Sequence, residues 1–417
     1  MTLTDLAVPL LVGHAPAPQA PADHLLFPQR LAPWRAWEGS HHRLRRARAA
    51  VALASARVLH GGAGGPEAVI ASRGGAPRVA VVVDAPTSSQ QAALIAPLAH
   101  LRDVVVVCPP EVLALLDGPD GARGGTEARP ATGTPGGGTP EASGAAAAPE
   151  TDGAPETDGA PGTASTAPGW DVVPLSAAGV AERLDSVTDV LAVGHYLPLG
   201  AGAYRWAQSH GARFVVVQHG ILTPFMAPLP VGAHLLAWSE ADAAFWASGR
   251  RDVSHEVVAS QLLWRAAQEP PADAGSDAAP TFLGQLHGVE LGRAYMTATS
   301  HDFCRATGAL YRPHPAERDR LSRWTHAAWE REGITIDRSG TPLVETRSPV
   351  VSVFSTGVLE AAARGLAAWV HAPGAPDWLS ALHARYSMSP WGASPTPPPP
   401  ATGQEPARTV ALALTRH

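Results

Sequence analysis

Short runs of consecutive apolar, largely β-branched residues recur along this chain, separated by longer stretches where apolar and polar positions mix at helical spacing. RVAVVVD over 78–84 is the first clear run, continuous enough to be a strand buried on both faces of a parallel sheet. A polar turn, APTSS, leads into QQAALIAPLAHL, which reads as a helix, and Val104–Cys108 is the next strand. The order returns as VTDVLAVG over 187–194, the helical AYRWAQSHG, and RFVVVQH over 213–219. Strand, helix and strand in succession make a β-α-β unit. After a proline-rich crossover come LLAWSEADAAFWASG and EVVASQLLWRAAQ. A second series then follows: TFLG at 281–284, a helix to Thr307, LYR at 310–312, another helix, ITID at 334–337, VVSVF with its helix, and LAAWVH. The expected fold is α/β, with two Rossmann-like β/α domains facing a central cleft.

Three stretches break the pattern. From 117 to 169 the chain is Gly, Pro, Ala, Thr and acid, with ETDGAP occurring twice in succession from Glu150. Such a composition buries too little apolar area to offset its ordering entropy, so a disordered insertion inside the first domain is expected. Residues 269–280 read as a linker, and from 393 onward, with PTPPPP, a loose tail. The resulting division is an amino-terminal extension over 1–77, a first Rossmann-like domain over 78–230, a second over 231–392 and a tail over 393–417. Within the extension, residues 34–59 are expected to form a helix carrying Arg43, Arg45, Arg46, Arg48 and Arg57.

At 417 residues the chain is too long for one ordinary core. A net charge of −6 argues against a nucleic-acid partner, whose footprint is strongly basic. The chain holds no lysine and no asparagine, so its arginine content reflects a compositional bias. Cys108 and Cys304 stand far apart without C-x-x-C spacing, which fits two buried thiols in a reducing compartment. No apolar stretch reaches the roughly 18 residues of a spanning helix. The expected location is cytoplasmic, with only peripheral association at the inner face of the membrane.

Three segments could carry chemistry. Gln218-His219-Gly220 ends a strong strand, placing an imidazole suited to proton transfer at the cleft, with Gln218 and Gly220 on the acceptor side. Arg312-Pro313-His314-Pro315 follows another strand, and its two prolines fix the backbone around His314. Its imidazole and the Arg312 guanidinium suit a phosphate. Glu317, Arg318 and Asp319 read as the first turn of the next helix. In the third segment, VFSTGVLEAAARG from Val353, a strand gives way at Ser355-Thr356-Gly357 to a helix. Its first turn offers N–H groups and hydroxyls to an anion, and Glu360 follows within reach of a ribose diol.

QHG, YRPHP and FSTGVLEAAARG, in that order, resemble the GT-B class of glycosyltransferases. They are most similar to bacterial surface-polymer enzymes, the CDP-glycerol glycerophosphotransferases and the polysialyltransferases. The resemblance implies that His314, Ser355 and Thr356 bind donor phosphates, with Arg312 and Gly357 beside them as the residues themselves suggest, and that Glu360 contacts the ribose. It also implies that His219 is the catalytic base. The glycerophosphotransferase motif continues toward a lysine, which His219-Gly-Ile-Leu-Thr-Pro-Phe225 lacks. The implied substrates are a nucleotide-activated donor, CMP- or CDP-linked, held by the second domain, and a glycan or lipid-linked acceptor, held by the first. No D-x-D pair is placed for a metal beside a diphosphate, and no cofactor is expected. A nucleotide-sugar 2-epimerase of the same fold and a non-catalytic scaffold of a surface-glycan assembly are the rival readings.

Overall fold

The computed structural model describes residues 20–41, 68–116, 169–269, 278–286, 288–340 and 342–416. The expected insertion, apart from Gly169, and most of the basic helix expected over 34–59 lie outside them. Of the expected extension over 1–77, residues 20–41 and 68–77 are described; the first holds α1 (Leu31–His41) and the second holds a strand, Val69–Arg73.

The first domain is built on an eight-stranded sheet. Its strands are β1 (Val69–Arg73), β2 (Val79–Val82), β3 (Val104–Cys108), β4 (Asp171–Pro174), β5 (Asp189–Ala192), β6 (Arg213–Val217), β7 (His234–Ala237) and β8 (Ser254–Val257). They lie in the order β4-β1-β3-β2-β5-β6-β7-β8, all parallel except β1, which runs antiparallel to both its neighbours. The central strands β2, β3 and β5 are buried at every position, as their unbroken apolar runs require. The segment Ser88–His100, α2, passes from α through π to 3-10 geometry, and Pro97 falls in its last part. The short α3 (Leu113–Leu116) follows β3. Next come α4 (Ala177–Arg183), α5 (Pro198–His210), α6 (Glu240–Ala247) and α7 (Gln261–Gln268). Pro198 at the start of α5 and left-handed Gly211 at its end are ordinary helix punctuation.

The second domain holds a smaller, wholly parallel sheet of β9 (Thr281–Leu283), β10 (Leu310–Arg312), β11 (Val350–Ser352) and β12 (Ala368–Val370), ordered β10-β9-β11-β12. Helices α8 (Arg293–Thr307), α9 (Arg320–Arg331), α10 (Thr356–Ala363) and α11 (Asp377–Arg385) complete it. The stretch expected as a strand at 334–337 contributes only an isolated bridge from Ile336 to Tyr311.

Three boundaries move. β1, which lies in the expected extension over 1–77, is a strand of the first sheet, paired with β3 and β4. Residues 231–259 were expected in the second domain, but β7 and β8 extend the first sheet by parallel pairing with β6. The expected loose tail contains α12 (Pro406–Thr415), which crosses back to the first domain. Val410, Ala411, Ala413 and Leu414 enter the core formed by β3, β6 and α2, and Arg213 donates to the Ala413 carbonyl at 2.8 Å. Prolines marked the approach to this helix, while its own VALAL run supplies the apolar face. The whole is two Rossmann-like domains, with α7 of the first packed against α10 of the second. Cys108 and Cys304 are both free and buried.

Candidate functional site

The carboxyl ends of the parallel strands in both sheets carry the three segments. After β6 the chain turns through Gln218-His219-Gly220, and this turn is held by Gln218. Its Oε1 accepts from Trp238 N–H at 2.9 Å, its Nε2 donates to the Gly220 carbonyl at 3.0 Å, and its own carbonyl accepts from Trp238 Nε1 at 3.0 Å. Gln218 is buried and its amide is committed, so it shapes the turn and has little left to offer an acceptor.

His219 lines a small pocket at the carboxyl ends of β2, β6, β7 and β8, with Ser89, Trp238, Ser260 and Gln261 among its neighbours. Its Nδ1 is buried without a hydrogen-bond partner among the described residues. Burial pushes its pKa down to about 4, so the ring is neutral at pH 7. A neutral imidazole can take up a proton, yet among the described residues no carboxylate bonds its Nδ1 to fix the tautomer.

From Gly220 the turn reaches the second domain. The N–H of Ile221 donates to Thr356 Oγ1 at 3.5 Å, and a Cβ at Gly220 would stand 3.9 Å from that oxygen. The structure thus brings the His219 turn and the Ser355-Thr356 segment together, although they are distant in sequence. Ser355 is the N-cap of α10, its Oγ accepting from Gly357 N–H at 3.1 Å. That N–H is therefore engaged in capping. The missing side chain of Gly357 has a packing reason, since a Cβ there would lie 2.6 Å from Leu283 Cδ1. Glu360 is partly buried, and desolvation raises its pKa to about 7, with Arg364 opposing the shift.

The RPHP loop is held by more than its prolines. Glu317 was expected in the first turn of α9; instead its carboxylate is buried beneath the loop. Oε1 accepts from Leu286 N–H at 2.9 Å and His314 N–H at 3.2 Å, while Oε2 accepts from Tyr311 Oη at 3.0 Å and bonds His326 Nε2 at 3.0 Å. Burial alone would raise this carboxyl, but the His326, Leu286, His314 and Tyr311 hydrogen bonds bring it below its ordinary value. Asp319 is the N-cap of α9, accepting from Ser322 N–H at 3.0 Å. His314 Nδ1 accepts from Ala316 N–H at 3.1 Å, which places the neutral ring's proton on Nε2. Burial lowers the His314 pKa, with Glu317 opposing. Arg312 is tied to Thr346 Oγ1 at 3.1 Å and lies 3.8 Å from the Asp337 carboxylate. Its structural tie therefore runs along the sheet edge. Gln285, after β9, accepts from Phe354 N–H at 3.3 Å and joins the loops following β9 and β11.

A network between the domains escaped the sequence reading. Tyr386 Oη, just past α11, donates to Asp242 Oδ1 at 2.6 Å and accepts from Leu222 N–H at 2.9 Å. Arg385 lies over the Phe245 ring at 3.7 Å and reaches the Leu222 carbonyl and the Asp242 carboxylate. The Ser-x-x-Asp signature at 239–242 marks the start of α6. Nothing local marks the partner more than a hundred residues away. Two further groups follow β2 and β5, which are adjacent and parallel in the first sheet. Asp84 accepts from Leu199 N–H at 2.9 Å and Gly200 N–H at 3.3 Å at the start of α5. His195 lies against Tyr204, and burial, assisted by Arg35 and Arg250, lowers its pKa to about 4.

A larger cavity, of about 410 Å³, lies between the first sheet and α4 and α5. Its walls are mainly apolar, including Val82, Val107, Leu184 and Leu199, and carry no charged side chain. Among the described residues, no group of three His, Cys, Asp or Glu is placed to hold a metal ion. No helix among them is long and apolar enough to cross a membrane.

The fold and site define an α/β protein of two Rossmann-like domains meeting at a cleft. No family model matches the chain, and no curated protein does. Among solved structures it is similar to a UDP-GlcNAc 2-epimerase from Methanocaldococcus jannaschii. The two share 12% identity, with 57% of this chain and 79% of that chain covered, at a TM-score of 0.34.

Proposed function

We propose that this protein is a transferase that moves a sugar or polyol phosphate from a nucleotide-activated donor, CMP- or CDP-linked, to a hydroxyl of a surface-glycan or lipid-linked acceptor. The observation that carries the reading is the meeting of the His219 turn with the Ser355-Thr356 segment, through the Ile221 N–H and Thr356 Oγ1. An acceptor activated by one domain would then lie beside a donor held by the other.

In this reading His314 Nε2–H, Ser355 and Thr356 bind the donor phosphates, and Glu360 meets the ribose. Arg312, tied to Thr346, supports the loop and adds positive potential. His219 takes the proton as the acceptor oxygen bonds to the transferred group and the bond to the donor phosphate oxygen breaks. The negative donor favours the protonated imidazole that results. The leaving phosphate gains its stabilisation from the same donors that bound it.

Thermal unfolding with CMP, CDP, UDP and GDP tests the reading. A cytidine nucleotide at about a hundred times its Kd is expected to add about 2.7 kcal/mol of stability. That gain should shrink in His314→Ala and Ser355→Ala. Absence of any nucleotide-induced shift removes the donor site, and with it the transferase. Conversion of UDP-N-acetylglucosamine alone to its 2-epimer would replace the transferase with an epimerase.

A further inference from the structure

We propose that the outward face of α9 docks on an anionic membrane surface. The helix presents two unlike sides. Ser322, His326 and Trp329 are buried against the second domain, whereas Trp324 is 63% and Leu321 47% exposed. At 3.6 residues per turn, Arg320, Trp324 and Arg331 fall opposite the buried side, with Leu321 and Arg323 flanking them. Arg318, Arg320 and Arg323 are exposed, and their guanidinium groups have no hydrogen-bond or ion-pair partner among the described residues.

The nearby acids do not neutralise this face. Asp319 is engaged with Ser322 and lies 3.7 Å from Arg293, while Glu330 pairs with Arg338 at 2.9 Å. An indole and a leucine ringed by unpaired arginines match the chemistry of a lipid headgroup boundary. Tryptophan favours that boundary, and arginine stems lie along apolar surface while their charged ends reach anionic phosphates. A stable protein partner would need about 800 Å² on this side, more than the outer face of one short helix supplies. An acidic polysaccharide would use the arginines and the indole but gain little from Leu321.

Position adds a consequence. Arg320 follows His314 by only six residues of chain, so docking here would hold the RPHP loop near the lipid surface. Only that consequence, access to a lipid-linked acceptor, rests on the transferase reading; docking itself does not.

The test is co-sedimentation of the full chain with phosphatidylcholine vesicles, with and without phosphatidylglycerol. The wild type is expected to pellet with the anionic vesicles and to be released by salt. Leu321→Ser/Trp324→Ser should lower partitioning about tenfold and Arg320→Gln/Arg323→Gln about thirtyfold, each arginine contributing about 1 kcal/mol near such a surface. All four positions are exposed, so thermal unfolding of both variants should match the wild type and separate lost docking from misfolding. Equal pelleting of wild type and variants overturns the proposal, because any binding would then come from elsewhere in the chain. Retention on heparin that the arginine variant loses, with no vesicle binding by the wild type, also overturns it and assigns the face to an acidic polysaccharide.

Discussion

Glu317 accepts bonds from four groups where water is excluded, so its carboxylate fixes the loop that carries His314. Glu317→Gln retains the shape but turns an amide toward groups oriented for an acceptor. It is expected to cost about 2–3 kcal/mol in urea unfolding. Because the folded carboxyl is held below its ordinary value, its stabilisation is complete above the unfolded range near about 4.3. That stabilisation is lost as pH falls through the lower folded value, and the variant should show a flatter acid limb. His219 shifts downward for a different reason, burial without a partner, to about 4. If it is the base, kcat/KM should persist as pH falls through the usual imidazole range and decline only toward 4. His219→Ala is expected to lower turnover by about 10²–10⁴. It should also reduce the loss of stability between pH 6.5 and 4, where the unfolded imidazole binds a proton before the folded one does.

Among the elements, α12 is the clearest case of packing overriding composition. Its residues fill the first domain's core from the far end of the chain, and Gln261 at the start of α7 accepts from Ala407 N–H at 2.8 Å. Leu414→Ala is expected to destabilise the protein by about 2–4 kcal/mol, measured by denaturant titration. A loose tail would leave stability unchanged. The strand runs around VAVV, VVVVC and RFVVV were legible because buried parallel strands need continuous apolar residues. β1 and β4 were less legible, because VIASR and DVVP carry polar or turn-forming residues that interrupt the apolar run. β4 is partly exposed along its length, so burial had imposed no such signature on it.

Across the whole molecule, Tyr386 joins the domains by bridging Asp242 and the Leu222 N–H. Tyr386→Phe keeps the ring but removes this bridge, leaving a buried carboxylate with one donor fewer. A loss of about 1–3 kcal/mol is expected, with faster hydrogen exchange in residues 218–226. Unchanged exchange would mean that packing between α7 and α10 holds the domains together without the hydroxyl.

The sequence by itself determined the α/β character, the two series of parallel strands and the place of the QHG, RPHP and STG segments at their ends. Apolar continuity, helical spacing and proline geometry act over a few residues, and a few residues suffice to display them. The rigidity around His314 was visible in the same way, but the Glu317 network beneath it was not. Tertiary structure alone decided that β7 and β8 join the first sheet, that α12 returns to its core and that the His219 turn meets Thr356. Those outcomes depend on contacts between groups far apart along the chain, where neither local propensity nor spacing chooses the partner.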